Sequence, residues 1–287
     1  MNHRRRFILI SGALAAALVP AAMAQSRRLP TTGANNPWTM EDSEIMNRSF
    51  SIGAGGKLTM DLADGYIHVT GYDGAEVRVT VERKTQAKSG DALSRSHSEV
   101  NLEMAQFGNG VRLYANGPFR NKNHNDSKDD YRVAFNCDVQ VPRTAILDLK
   151  SMNSGIQVKD VNGDFDISGL NGAIAMEGIG GSGSANTLNG SLKIAFTRNP
   201  THDSQFHSLN GAIDVFFQPP VNAQLKYHTL NGGVWADFDV QTDAVVSGHL
   251  NGSMPDGGSG SGRAGSGGPT LTFDTLNGAI RLHSKPE

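Results

Sequence analysis

The chain lacks most of what usually stabilises an exported protein by covalent or helical means. It has one cysteine, Cys137, so no intramolecular disulfide can form. Cys137 stands in YRVAFNCDVQV, where Val133, Phe135, Cys137, Val139 and Val141 alternate with polar residues. That period of two predicts a buried strand position rather than a reactive thiol. Aromatic residues are few, and apolar residues at helical spacing are nearly absent, which argues against a helical bundle. Beyond the first 24 residues no apolar run approaches the length of a membrane-spanning helix. The mature chain is therefore expected to carry no transmembrane segment, and with no cysteine near residue 24 no lipoprotein anchor is expected either. Positive charge is also scarce. Without the three arginines of the leader, 23 basic residues face 28 acidic ones, a net of −5. Nucleic acid needs a basic surface, so it is excluded as a partner.

What is present begins with an address. Residues 1–24, MNHRRRFILISGALAAALVPAAMA, have a basic start, an apolar run from Phe7 to Val19 and small residues at Ala22 and Ala24. This is the plan of a signal peptide cleaved before Gln25. The stretch RRRFI also fits a twin-arginine signal, so export to the periplasm or cell exterior is expected by the Sec or the twin-arginine route. Residues 25–46 carry Pro and Asn without periodicity and read as a flexible leader. Residues 47–141 read as an N-terminal β-rich cap, with Ile67, Val69, Val77, Val79 and Val81 on buried strand faces. Within it lie a polar stretch at 87–98, strands near 99–105 and 110–115, and a charged loop at 116–130.

From 142 to 287 one phrase keeps returning: TLNG at 187, SLNG at 208, TLNG at 229 and again at 275. Centred on their asparagines, the repeats fall at Asn153, Asn171, Asn189, Asn210, Asn231, Asn251 and Asn277, with spacings of 18, 18, 21, 21, 20 and 26. A period near twenty marks stacked repeats. The Gly/Ser-rich stretch 257–268 in the longest spacing reads as a flexible insert.

Asn-Gly between apolar residues is also a hairpin signal. A two-residue hairpin would scatter the apolar positions over both faces, because side chains alternate along a strand. A coil lets the residue before each Asn and those three and five after it point inward. The predicted fold is therefore all-β, a right-handed parallel β-helix or β-solenoid with an N-terminal β-rich cap. In it Leu fills an interior corner, Asn and Gly take left-handed backbone, and stacked Asn amides bond to one another. Seven coils at the strand spacing give a rod of about 34 Å.

The alternating strands of GYIHVTGYDGAEVRVTVERK and the recurring x-L-N-G-x-I phrase over 139–194 resemble the bacterial adhesin-type β-strand-repeat domains of unknown function, relatives of the head-GIN group. The resemblance covers roughly 50–285. It implies a right-handed parallel solenoid of exported or envelope-associated proteins and carries over no catalytic residue.

Candidate sites lie on outward positions. Phe216 and Trp235 are expected on neighbouring coils as one aromatic patch suited to a sugar or a protein partner. Asp164 and Asp166 flank Phe165, and Asp237 and Asp239 flank Phe238, each pair about 7 Å apart along a strand. That spacing suits inverting glycosidases and also solvated charges that keep a β-surface from aggregating. His207, His228 and His249, with Asp274, stand near equivalent corners but read as polar surface rather than a metal site. GIGGSGSAN lacks the Lys and helix of a phosphate loop, and GGSGSG is no nucleophile elbow. No cofactor or metal is called for. The expected function is a non-enzymatic, exported solenoid presenting a regular surface to an envelope protein or polysaccharide, with self-association through end coils open to it. The alternative is a carbohydrate-active β-helix enzyme, a polysaccharide lyase or hydrolase, using one of the carboxylate pairs.

Overall fold

The computed structural model describes residues 26–30, 38–121, 130–242 and 258–284. The leader peptide 1–24, His249 and the repeat centred on Asn251 lie outside the described residues. The protein is all-β, with two mixed sheets of eleven strands each and one α-helix, Gly90–Glu99, among the described residues.

Each repeat contributes one strand to each sheet. An inbound strand ends at the Asn, or two residues before it in the Asn153 repeat, and an outbound strand begins three residues after the Asn. The inbound strands are Ile146–Ser151, Phe165–Asn171, Gly183–Asn189, Ser204–Asn210, Ala223–Asn231 and Thr270–Asn277. They pair parallel and in register in one sheet. The outbound strands, Ile156–Lys159, Ile174–Ile179, Leu192–Phe196, Ile213–Phe217, Val234–Ala236 and Ile280–Ser284, do the same in the other. The residues three and five after each described Asn are buried without exception, from Ile156 and Val158 to Ile280 and Leu282. Between the sheets Phe196 stacks on Phe217 (5.7 Å between centroids) and Phe206 on Phe273 (5.3 Å). Burying such side chains contributes roughly 1.5–3 kcal/mol each.

The rungs do not stack in chain order. The inbound sheet runs Asn153, Asn171, Asn189, Asn210, Asn277, Asn231, so the Asn277 repeat is inserted between those of Asn210 and Asn231. The other end is permuted as well. Lys57–Leu62 and Ile67–Tyr72 pair parallel with the Asn153 rung and form a rung of their own, with Asp64-Gly65 at the corner. Gly110–Asn116 and Tyr131–Pro142 stack parallel on that rung in turn, and residues 122–129 of the expected charged loop lie outside the described residues. The region expected as a cap thus continues both sheets.

Antiparallel strands cover the ends. Met40–Ser51, Glu76–Ala87 and Asn101–Phe107 do so at one end, Gly258–Ala264 and Val240–Thr242 at the other. Three local expectations change here. Residues 40–46, read as leader, begin a strand twelve residues long. Residues 258–264, read as a flexible insert, form a strand on Ala223–Asn231, because main-chain bonds ask nothing of the side chains. The polar stretch 87–98 contains the helix, started by Ser89, whose Oγ accepts from the Ala92 N–H at 3.2 Å. Among the described residues the outbound sheet ends in two short edge strands, the three-residue Val234–Ala236 and the five-residue Ser26–Pro30, and short edges template another chain poorly.

Cys137 lies in Tyr131–Pro142, fully buried between Ile67 and Val81 of the flanking strands. Burial, reinforced by the neighbouring Asp138 charge, pushes its thiol from 9.0 up to about 12. The sign follows from linkage. Stability is fully present below the unfolded thiol's pKa and is lost as pH rises through the folded one, a drop of about 4 kcal/mol between pH ~9 and ~12. The folded protein at pH 8 is expected to leave a disulfide thiol reagent unreacted until urea is added. Cys137→Ala should flatten that alkaline loss in pH-dependent melting. Rapid labelling of the native protein would contradict the burial.

Candidate functional site

The Leu-Asn-Gly corner keeps the expected Asn ladder but differs from expectation in the place of its Leu and in its backbone. The strand alternation of the inbound segment runs on to the residue two before Asn, which therefore points inward. Thr187, Ser208, Thr275 and Thr229 hold that place and are buried. Each donates its hydroxyl to the corner carbonyl of the adjacent rung: Thr187 to Gly172 at 3.0 Å, Ser208 to Gly190 at 2.8 Å, Thr275 to Gly211 at 3.0 Å and Thr229 to Gly278 at 2.9 Å. The buried hydroxyl thereby finds a hydrogen-bond partner and ties its rung to the next.

The following Leu is driven outward rather than into the core. Leu170, Leu188 and Leu230 are 41%, 38% and 54% exposed, and Met152, Leu209 and Leu276 are half-buried. In spatial order Met152, Leu170, Leu188, Leu209, Leu276 and Leu230 form one aliphatic ridge, about 24 Å long at the strand spacing.

Asn links the rungs. Each side-chain Nδ2 donates to the next Oδ1: Asn171 to Asn153 (3.0 Å), Asn189 to Asn171 (2.8 Å), Asn210 to Asn189 (2.8 Å), Asn277 to Asn210 (2.7 Å) and Asn231 to Asn277 (2.7 Å). None of these asparagines has positive φ. The glycine that follows is required by close approach: a Cβ on Gly190 would lie 2.1 Å from the Gly172 oxygen, and one on Gly211 2.1 Å from that of Gly190.

On the outer face of the outbound sheet, Phe216 and Trp235 do not meet. The inserted strand Ile280–Ser284 lies between them and gives each ring a partner. His283 stacks on Phe216 (4.5 Å between centroids), and Arg281 lies 5.7 Å from the Trp235 centroid. Arg281 also pairs with Asp214 at 3.2 Å, and Lys193 lies 5.8 Å from the Phe216 centroid on its other side. The face is a row of aromatic–cation contacts in place of one aromatic patch. Its polar members could not be foreseen, because no local signal says that residues 280–284 belong beside 213–217.

The carboxylates have structural partners. Asp164 Oδ1 accepts from the Ser182 N–H (3.0 Å) and Asp166 Oδ1 from the Ser184 hydroxyl (2.6 Å), each one rung away. Asp237 and Asp239 do not share a strand, since Val234–Ala236 ends before them. Asp237 Oδ1 accepts from the Ser284 N–H, and its Oδ2 lies 3.4 Å from His283 Nδ1. Among the described residues no group of three His, Cys, Asp or Glu is arranged to hold a metal ion. His207 and His228 do flank Asp274, with Nδ1 at 3.6 Å from Oδ2 and 3.1 Å from Oδ1 respectively, because the inserted rung brings Asp274 between them. No helix among the described residues is long and apolar enough to cross a membrane.

Neither a family model nor a curated protein matches the chain. Solved structures resemble it at low identity. A candidate cell-adhesion protein from Clostridium sporogenes aligns over 84% of this chain and 100% of its own, at 12% identity and a TM-score of 0.43. A candidate adhesin from Bacteroides fragilis aligns over 84% and 97% (10% identity, TM-score 0.33), and a candidate lipid-binding protein from Parabacteroides distasonis over the same shares (9%, 0.29).

Proposed function

We propose that the protein is an exported, non-enzymatic, right-handed parallel β-solenoid that presents a regular outer surface to a partner in the cell envelope, an envelope protein or polysaccharide. The parallel, in-register pairing of the repeats supports the solenoid reading. The strong preference of parallel crossovers for the right hand supports its sense. The signal-like residues 1–24 support export, and sequencing the secreted form would test this by finding Gln25 at its start.

The single observation that carries the binding role is the aliphatic ridge. Folding explains the inward Thr, the Asn ladder and the close-packed Gly, but it gives no reason for Leu on the outside of rung after rung. Contiguous exposed apolar surface on a stable protein marks an interaction site. The carboxylate pairs offer the rival enzymatic reading little, since Asp164, Asp166 and Asp237 are each bonded to an adjacent rung.

Replacing Leu170, Leu188 and Leu230 together by Ser is expected to change stability by at most about 0.5 kcal/mol per site, the range of ordinary surface substitutions. The same variant should lose retention in the envelope fraction of fractionated cells. A triple variant retained like the parent, or one that fails to fold, would remove the ridge from consideration.

A further inference from the structure

Beyond the ridge, on the same outer face of the inbound sheet, lies a depression of about 350 Å³. That volume is at the lower end of the range for small-ligand pockets. Four adjacent strands line it: Thr242 from Val240–Thr242, Ser259 and Ser261 from Gly258–Ala264, Lys226 and His228 from Ala223–Asn231, and Thr272 and Asp274 from Thr270–Asn277.

The depression is built by the stretch that reads as a linker. In Gly-Ser-Gly-Ser-Gly the serines face out and the glycines face the core, which places Ser259 directly opposite His228 and Ser261 opposite Lys226. Small residues keep this strand low beside the longer Lys226 and His228. Gly260 is needed where it stands, since a Cβ there would lie 2.5 Å from the Tyr227 hydroxyl oxygen. Insertion of the last rung supplies Asp274, whose carboxylate is oriented from both sides by His228 and His207.

The chemistry is selective. Lys226 only donates, Asp274 only accepts, and His228 with the Ser and Thr hydroxyls can do either. A carboxylate in the lining repels an anion, and a lone ammonium repels a cation. A ligand bearing several neighbouring hydroxyls, each both donor and acceptor, matches the set. Its C–H faces suit the glycine backbone and threonine methyls between the polar groups. We infer that this depression binds a neutral saccharide unit, held by Asp274, His228, Lys226 and the Ser259/Ser261 pair. This site is independent of the ridge, and the two can fail separately.

The test is titration of the ¹⁵N-labelled full-length mature chain with four neutral disaccharides: maltose, cellobiose, lactose and N,N′-diacetylchitobiose. Galacturonic acid and glucose 6-phosphate serve as charged comparators. Saturable shifts are expected at the amides of His228, Ser259 and Ser261 for at least one neutral sugar. Asp274→Asn should weaken that binding roughly tenfold, the scale of one hydrogen bond to a charged group. Ser259→Tyr, which fills the depression without touching Asp274, should abolish it, and the Leu170/Leu188/Leu230 triple Ser variant should leave it unchanged. No saturable shift at these amides with any of the four would overturn the inference. So would a stronger response to a charged comparator, or undiminished binding by Ser259→Tyr.

Discussion

Gly190→Ala is expected to destabilise the protein by about 3 kcal/mol or more, at the upper end of what overpacking a well-packed site costs. Gly90→Ala should leave stability unchanged or raise it slightly. The two substitutions add the same methyl group to very different surroundings. At Gly190 the new Cβ would lie 2.1 Å from the Gly172 oxygen and 2.5 Å from its carbonyl carbon, both backbone atoms of the rung beside it. Relief would require separating the rungs, which lengthens the Asn189–Asn171 bond and withdraws the Thr187 hydroxyl from Gly172. At Gly90 nothing lies within 4 Å, and the residue opens a helix, where Ala is the better former by up to about 1 kcal/mol. Urea unfolding of the two variants would decide the matter. Equal midpoints for Gly190→Ala and the parent would mean that the rungs are not in the close contact described.

Ending the chain after Pro269 should do more damage than removing a terminal repeat. In a stacked architecture each rung is held by its neighbours, so loss of an end rung sacrifices one interface. Thr270–Asn277 and Ile280–Ser284 are last in sequence but internal in space. Their loss removes the interfaces to the Asn210 rung and to the Asn231 rung together. Phe206 would lose its partner Phe273, and Ala223–Asn231 would keep only the antiparallel Gly258–Ala264. Hydrogen exchange is expected to accelerate throughout 204–236, upstream of the cut, and to stay slow in the rungs of Asn153 and Asn171. Protection of Ala223–Asn231 matching the intact chain would show that the Asn231 rung stacks directly on that of Asn210, against the order found here.

A good part of the architecture was legible in the residues. The buried Ile, Val and Leu three and five after each Asn, and the hydrogen-bonded Asn column, follow from a period near twenty joined to strand alternation. The Leu departs from the interior place its apolar side chain suggests for a definite reason. An interior corner needs a bend before the Asn, whereas the inbound strands stay extended through it, so the buried place falls to Thr or Ser and Leu emerges on the other face. The helix at 90–99 has too weak an apolar stripe to announce itself. It rests on the Ser89 cap and on Arg83, whose Nη2 donates to the Ser96 carbonyl at 2.9 Å.

By itself, then, the sequence determined the all-β character, the repeat unit, which side chains fill the space between the sheets, and the burial of Cys137. These depend on local alternation and on the identity of each residue, which are written in the chain. Tertiary structure alone decided the order of the rungs. With it came the meeting of Asp274 with His207 and His228, the separation of Phe216 from Trp235 by Arg281 and His283, and the depression that Ser259 and Ser261 line together with Lys226, His228 and Asp274. The physical reason is that rungs of one repeat are nearly interchangeable in their backbone hydrogen bonds. Which rung lies beside which is settled by the summed packing of whole faces, a non-local quantity that no stretch of residues carries.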